Sequence, residues 1–191
     1  MRYFSKLIAT ISVAAVFSIN AEAGLLSKTL DATYYHPDLS TPYTEAAFAP
    51  HPFVVAAGIE TIGKVEGVTS LLTDFSDNQL TITFDTVLDK PIWNTALFNG
   101  VVFTLQSPGS LDIAAALVDP ATTLSGFDNG RLSFTNLSLG LNWSGLSYSD
   151  GQKIVVNFSF NTTPVPEPAS YGFLVAGLGF IGFLKRRKWQ G

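Results

Sequence analysis

Between residues 24 and 163, apolar and polar residues alternate along much of the chain with a period of two. The clearest stretch is Leu80-Thr81-Ile82-Thr83-Phe84-Asp85. Leu80, Ile82 and Phe84 fall on one face, and Thr81, Thr83 and Asp85 on the other. Successive strand side chains point to opposite faces, so this is a strand with one buried side. Ser76-Asp77-Asn78 just before it is turn chemistry, and predicts a hairpin with residues 71–75. Residues 154–160 repeat the alternation, with Ile154, Val156, Phe158 and Phe160 inward and Asn157 and Ser159 outward. Val101, Phe103 and Leu105 mark a further strand. Residues 29–35 and 53–59, bounded by His36-Pro37 and Pro50-His51-Pro52, read as edge or outer strands.

Residues 131–143 carry a change of phase. Leu132 and Phe134 share one phase, whereas Leu137, Leu139, Leu141 and Trp143 share the other. One uninterrupted strand cannot bury both sets on one face. The pattern predicts a bulge near Thr135-Asn136, or two strands divided there. Asp128-Asn129-Gly130 and Ser149-Asp150-Gly151 read as turns. Residues 111–118, rich in alanine, fit a short helix or a strand and lean to strand or loop. About eight strands at this spacing predict an all-β fold, an antiparallel β-sandwich. No internal repeat points to a solenoid or propeller.

The two ends of the chain break the alternation. Residues 1–23 combine a basic start, Arg2 and Lys6, with an apolar run and Ala21-Glu22-Ala23. This is the layout of a signal-peptide helix cut by signal peptidase after Ala23, so that Gly24 becomes the first mature residue. At the other end, Pro166-Glu167-Pro168 precedes an uncharged apolar run, residues 169–184, and then Lys185-Arg186-Arg187-Lys188. As a helix the run would reach roughly 24 Å, slightly less than a hydrocarbon core. Snorkelling basic side chains and Tyr171 at the interfaces extend that reach, so a C-terminal transmembrane helix is expected. The basic cluster acts as a stop and holds the C-terminus on the cytoplasmic side. The division is thus a signal peptide (1–23), an exported domain (24–163) and a membrane-directed tail (164–191).

The order Pro-Glu-Pro, apolar span and basic terminus resembles the PEP-CTERM sorting signal of Gram-negative bacteria. The resemblance covers only about the last 25 residues. It implies recognition of Pro166, Glu167 and Pro168 by an inner-membrane exosortase, with Arg186 and Arg187 in the stop. It also implies transient anchoring, processing near Pro-Glu-Pro and release to the cell surface or outside. Proteins of this kind often accompany exopolysaccharide and biofilm systems.

Composition narrows what the exported domain can do. It holds five basic and thirteen acidic side chains, a net of −8 against −4 for the whole chain. Phosphate contacts need Lys and Arg, so nucleic acid is not an expected partner. Cysteine is absent, so stability must come from packing rather than cross-links.

Candidate chemistry is sparse. His36 and His51 with Asp38 or Glu45 can be drawn as a metal triad, but their spacing matches no ligand motif. No Gly-x-Ser-x-Gly elbow is present for a hydrolytic serine. Asp74 with Asp77, and Asp85 with Asp89, could serve glycoside hydrolysis, yet these aspartates sit where turns need them. Residues 74–78 and Asp128-Asn129-Gly130 offer oxygen ligands for calcium without the helical calcium-loop pattern. Asn-x-Ser/Thr triplets begin at Asn136, Asn142, Asn157 and Asn161, as outward strand positions also would. Tyr34, Tyr35, Tyr43, Trp93, Trp143 and Tyr148 would form a sugar-stacking face if exposed together, and a core if not. The expectation is a non-catalytic exported protein without metal or cofactor. A module that binds matrix exopolysaccharide is the alternative.

Overall fold

The computed structural model describes residues 24–161. The expected signal-peptide and transmembrane helices lie outside the described residues. Within them the chain forms eleven strands and one 3-10 turn. The strands are β1 (Thr29–Tyr35), β2 (Ala46–Ala49), β3 (Phe53–Val54), β4 (Ile59–Val65), β5 (Thr69–Phe75) and β6 (Gln79–Thr86). Then come β7 (Gly100–Leu105), β8 (Ile113–Val118), β9 (Leu132–Phe134), β10 (Ser138–Asn142) and β11 (Lys153–Phe160). Two antiparallel sheets result, ordered β3-β1-β7-β10-β9 and β2-β4-β5-β6-β11-β8. This is a β-sandwich, with the apolar faces of the two sheets turned toward each other.

The expected hairpin is β5–β6, in which Phe75 pairs with Leu80 and Thr69 with Thr86. Leu80, Ile82 and Phe84 are fully buried. β11 lies beside β6 and buries Ile154, Val156 and Phe158. Phe160 departs from expectation and is only partly buried, because the β8–β11 register shifts between Ser159 and Phe160. Val155, on the opposite face, is buried as well. The segment after β8 folds over it, and Val155 N–H donates to Thr122 Oγ1 at 2.9 Å.

The phase change in residues 131–143 is a hairpin. β9 and β10 turn back on each other at residues 135–137, pairing Phe134 with Leu139 and Leu132 with Leu141. Reversing the chain brings both phases onto one face. Leu139 and Leu141 are buried, while Phe134, on the edge strand, and Leu137, in the turn, stay exposed. β1 is not an edge or outer strand. It pairs with β7 along its length and with β3 over Thr29 and Leu30. Residues 53–59 are not one strand either. β3 belongs to the first sheet and β4 to the second, and the chain crosses between them through Gly58, at φ +90°.

Aromatic rings fill both ends of the core. Phe53, Phe75 and Phe103 pack at one end, with Phe75 edge-on to Phe103 at 5.0 Å. Tyr34, Phe84, Trp93, Trp143 and Tyr148 pack at the other, where Trp93 stacks on Tyr148 at 4.5 Å and 11°. The described chain starts and finishes at the Phe75 end. Leu25 N–H donates to Asp77 O, Phe158 N–H to Asn78 O and Asn161 N–H to Asp112 O.

Candidate functional site

The turns of the Trp93 end enclose a cleft of about 140 Å³. Its floor is aromatic and tied together by hydrogen bonds. Trp143 Nε1–H donates to Tyr34 Oη at 2.8 Å, and Tyr34 Oη–H donates to Asn99 Oδ1 at 2.6 Å. Asn99 Nδ2 then donates to the Asn94 carbonyl at 2.9 Å, which fixes the loop ahead of β7. Burial pushes the Tyr34 hydroxyl well above its ordinary pKa, so it stays a neutral donor. Tyr148 Oη bonds Thr69 Oγ1 at 2.7 Å, and its pKa is also raised by burial.

The rim mixes chemistries. Tyr43 Oη donates to Glu66 Oε1 at 2.5 Å, and this bond pushes the Tyr43 hydroxyl up to about 12. His36 packs edge-on against the Tyr43 ring at 5.6 Å. Leu88, Pro91 and Ile92 supply an apolar lip, with Ile92 66% exposed. Gly100, next to Asn99, admits no larger residue. A Cβ there would stand 1.9 Å from the Leu141 carbonyl oxygen of the neighbouring strand.

The structure gives the sequence-derived candidates different fates. Tyr34, Trp93, Trp143 and Tyr148 do come together, but as buried core and cleft floor rather than an exposed stacking face. His36 and His51 serve separate surfaces. His51 Nδ1 lies 3.4 Å from Asp31 Oδ1, away from the cleft that His36 lines. No group of three or more His, Cys, Asp or Glu side chains is placed to hold a metal among the described residues.

Several aspartates are occupied as hydrogen-bond acceptors. Asp38 accepts from Ser40 and Thr41, Asp128 from Gly130 N–H, and Asp150 from Thr86 N–H. The Ser40 hydroxyl holds the Asp38 carboxyl below its usual range. The Ala121 amide does the same for Asp119, which also accepts from Asn157.

Glu60 is a buried carboxylate that the sequence did not single out. It accepts from Phe75 N–H at 2.7 Å and Ala56 N–H at 3.1 Å, and clamps the crossover between the sheets. Burial raises its pKa. Asn99, Asn94, Glu66 and Thr69 were also missed as cleft residues. Nothing local in the sequence shows that Asn99 meets Tyr34, 65 residues away.

Gly24, the expected first mature residue, lies against the Asp77 side chain, and Leu25 behind it is buried. Ala21, Ala23, Pro166, Glu167, Pro168, Lys185, Arg186, Arg187 and Lys188 lie outside the described residues.

By fold and layout this is a β-sandwich domain followed by a sorting tail. Residues 164–188 match the PEP-CTERM protein-sorting motif. Such a motif directs processing by an exosortase at the membrane and a cell-surface or extracellular destination. No curated protein and no solved structure matches the chain.

Proposed function

We propose that residues 24–163 are the cargo of an exosortase-dependent export route and act, without catalysis, at the cell surface or in an exopolysaccharide matrix. The match of residues 164–188 to the sorting motif carries this reading. In it, signal peptidase removes residues 1–23 and residues 169–184 anchor the chain in the inner membrane as a transient helix. Lys185, Arg186, Arg187 and Lys188 stop transfer, and the exosortase reads Pro166-Glu167-Pro168. Two prolines around Glu167 hold the backbone extended and remove two amide donors, a shape that a plain spacer does not need.

The test is Pro166→Ala combined with Glu167→Ala in a host that carries an exosortase. Export and insertion should persist, and full-length chain should accumulate in the membrane fraction on an immunoblot. Deleting residues 185–188 should fail differently, by loss of the stop and of orientation. Appearance of the double variant in the medium at the parent's size and rate would reduce Pro-Glu-Pro to a spacer.

A further inference from the structure

We propose that the cleft at the Trp93 end binds one neutral pyranose ring, at the end or a branch of a polysaccharide. The first observation is an orphan donor. Trp93 Nε1 is buried and lacks a hydrogen-bond partner, one of two such side-chain atoms among the described residues. The other, Thr73 Oγ1, belongs to a residue that does not line the cleft, whereas Trp93 does. Buried donors without acceptors are rare in folded chains, and a small turn of the indole toward the cleft would bring this one within reach of a ligand's acceptor.

The second observation is the choice of groups around it. Glu66 has a second oxygen, Oε2, without a hydrogen-bond partner among the described residues, because Tyr43 occupies only Oε1. The exposed side chain of Asn94 offers both donors and an acceptor. Hydroxyl groups on a ring satisfy such a mixed set, since each can donate and accept. The partly exposed Tyr43 ring and the apolar lip of Leu88, Pro91 and Ile92 suit the C–H faces of the same ring.

Charge and size narrow the class. No Lys or Arg lines the cleft and Glu66 does, which disfavours phosphate, sulfate and acidic sugars. A volume of about 140 Å³ is close to that which holds one six-membered ring. Room for about one ring suits a chain end or branch better than a run of linked rings. It also lies at the opposite end of the sandwich from Asn161, where the chain leaves toward the sorting tail.

This inference names a ligand class and is independent of the sorting signal. Its test uses the full chain in a zwitterionic detergent, because detergents with sugar headgroups would compete. Methyl glycosides of glucose, galactose, mannose and N-acetylglucosamine are titrated while tryptophan fluorescence is followed. At least one should give a saturable change at about millimolar concentration, the ordinary strength of a single small site. Asn94→Ala and Glu66→Gln, both at exposed positions, should weaken that glycoside by about tenfold, roughly one good hydrogen bond. Trp93→Phe keeps the stacked ring and removes the donor, and should weaken it similarly. Asp119→Asn, outside the cleft, should bind as the parent does. No saturable response from any glycoside, or unchanged binding by all three cleft variants, overturns the proposal. Cleavage of the bound glycoside would leave the site standing and overturn the non-catalytic reading instead.

Discussion

Phe84→Ala tests the packing of the sandwich most directly. Phe84 is fully buried on β6, with its ring 5.5 Å from Trp143 and from Tyr148 and 6.2 Å from Trp93. Burying a phenyl side chain contributes about 1.5–3 kcal/mol. A residual void of roughly 70 Å³, at about 24 cal/mol per Å³, adds about 1.7 kcal/mol. Lost edge-to-face pairing moves the total toward the upper end of about 3–5 kcal/mol. The assay is urea unfolding followed by tryptophan fluorescence. With a slope of about 2 kcal/mol per M, a loss of 4 kcal/mol lowers the midpoint by about 2 M. Phe160→Ala is the internal comparison. Phe160 is only partly buried beyond the register shift, so its loss should cost about 1 kcal/mol and 0.5 M. A Phe84→Ala midpoint within about 0.5 M of the parent would refute the reasoning. So would equal effects of the two variants.

Two further predictions concern buried polar groups. Tyr34→Phe removes the oxygen that accepts from Trp143 Nε1 and donates to Asn99, leaving two buried groups unpaired. It should cost about 1–3 kcal/mol by urea midpoint, and a neutral result would mean the network is not formed. Glu60→Gln should change how stability depends on pH. Burial raises the Glu60 pKa above 4.5, so the folded chain holds this proton to higher pH than the unfolded chain. Its contribution is full below the unfolded value and declines as pH rises through the folded one. The advantage of the parent over Glu60→Gln in urea should therefore be larger near pH 4 than near pH 7. An advantage that does not change with pH counts against a raised pKa.

What could be read in advance depended on how local the determinant was. The strands β6, β7, β10 and β11 bury alternate apolar residues and were visible from their own stretches, and β5 from the turn that joins it to β6. β4 was not, because it turns Thr61, Gly63 and Val65 inward and leaves Ile59 and Ile62 exposed. That inversion depends on distant partners. The Phe48 ring lies over Gly63, its pairing partner on β2, and would collide with a Cβ placed there. Glu60 can be buried beside it because the Phe75 and Ala56 amides reach its carboxylate. The sorting tail is linear and could be read directly. The cleft joins Tyr34, Glu66, Trp93 and Asn99 from three separate segments, and no stretch of sequence holds it.

The placement of the chain exit also decides how the domain carries force. β11 runs from Lys153 to Phe160, and the chain leaves at Asn161, at the end opposite the cleft. β11 lies between two neighbours, joined to β6 over Lys153–Asn157 and to β8 over Val156–Phe160. A pull between something held in the cleft and Asn161 acts along the strand axis. The backbone hydrogen bonds run across that axis, so they are strained together in shear instead of being peeled apart one at a time. A domain pulled between a ligand in the cleft and its C-terminal end is thus loaded in the direction in which its sheet yields least.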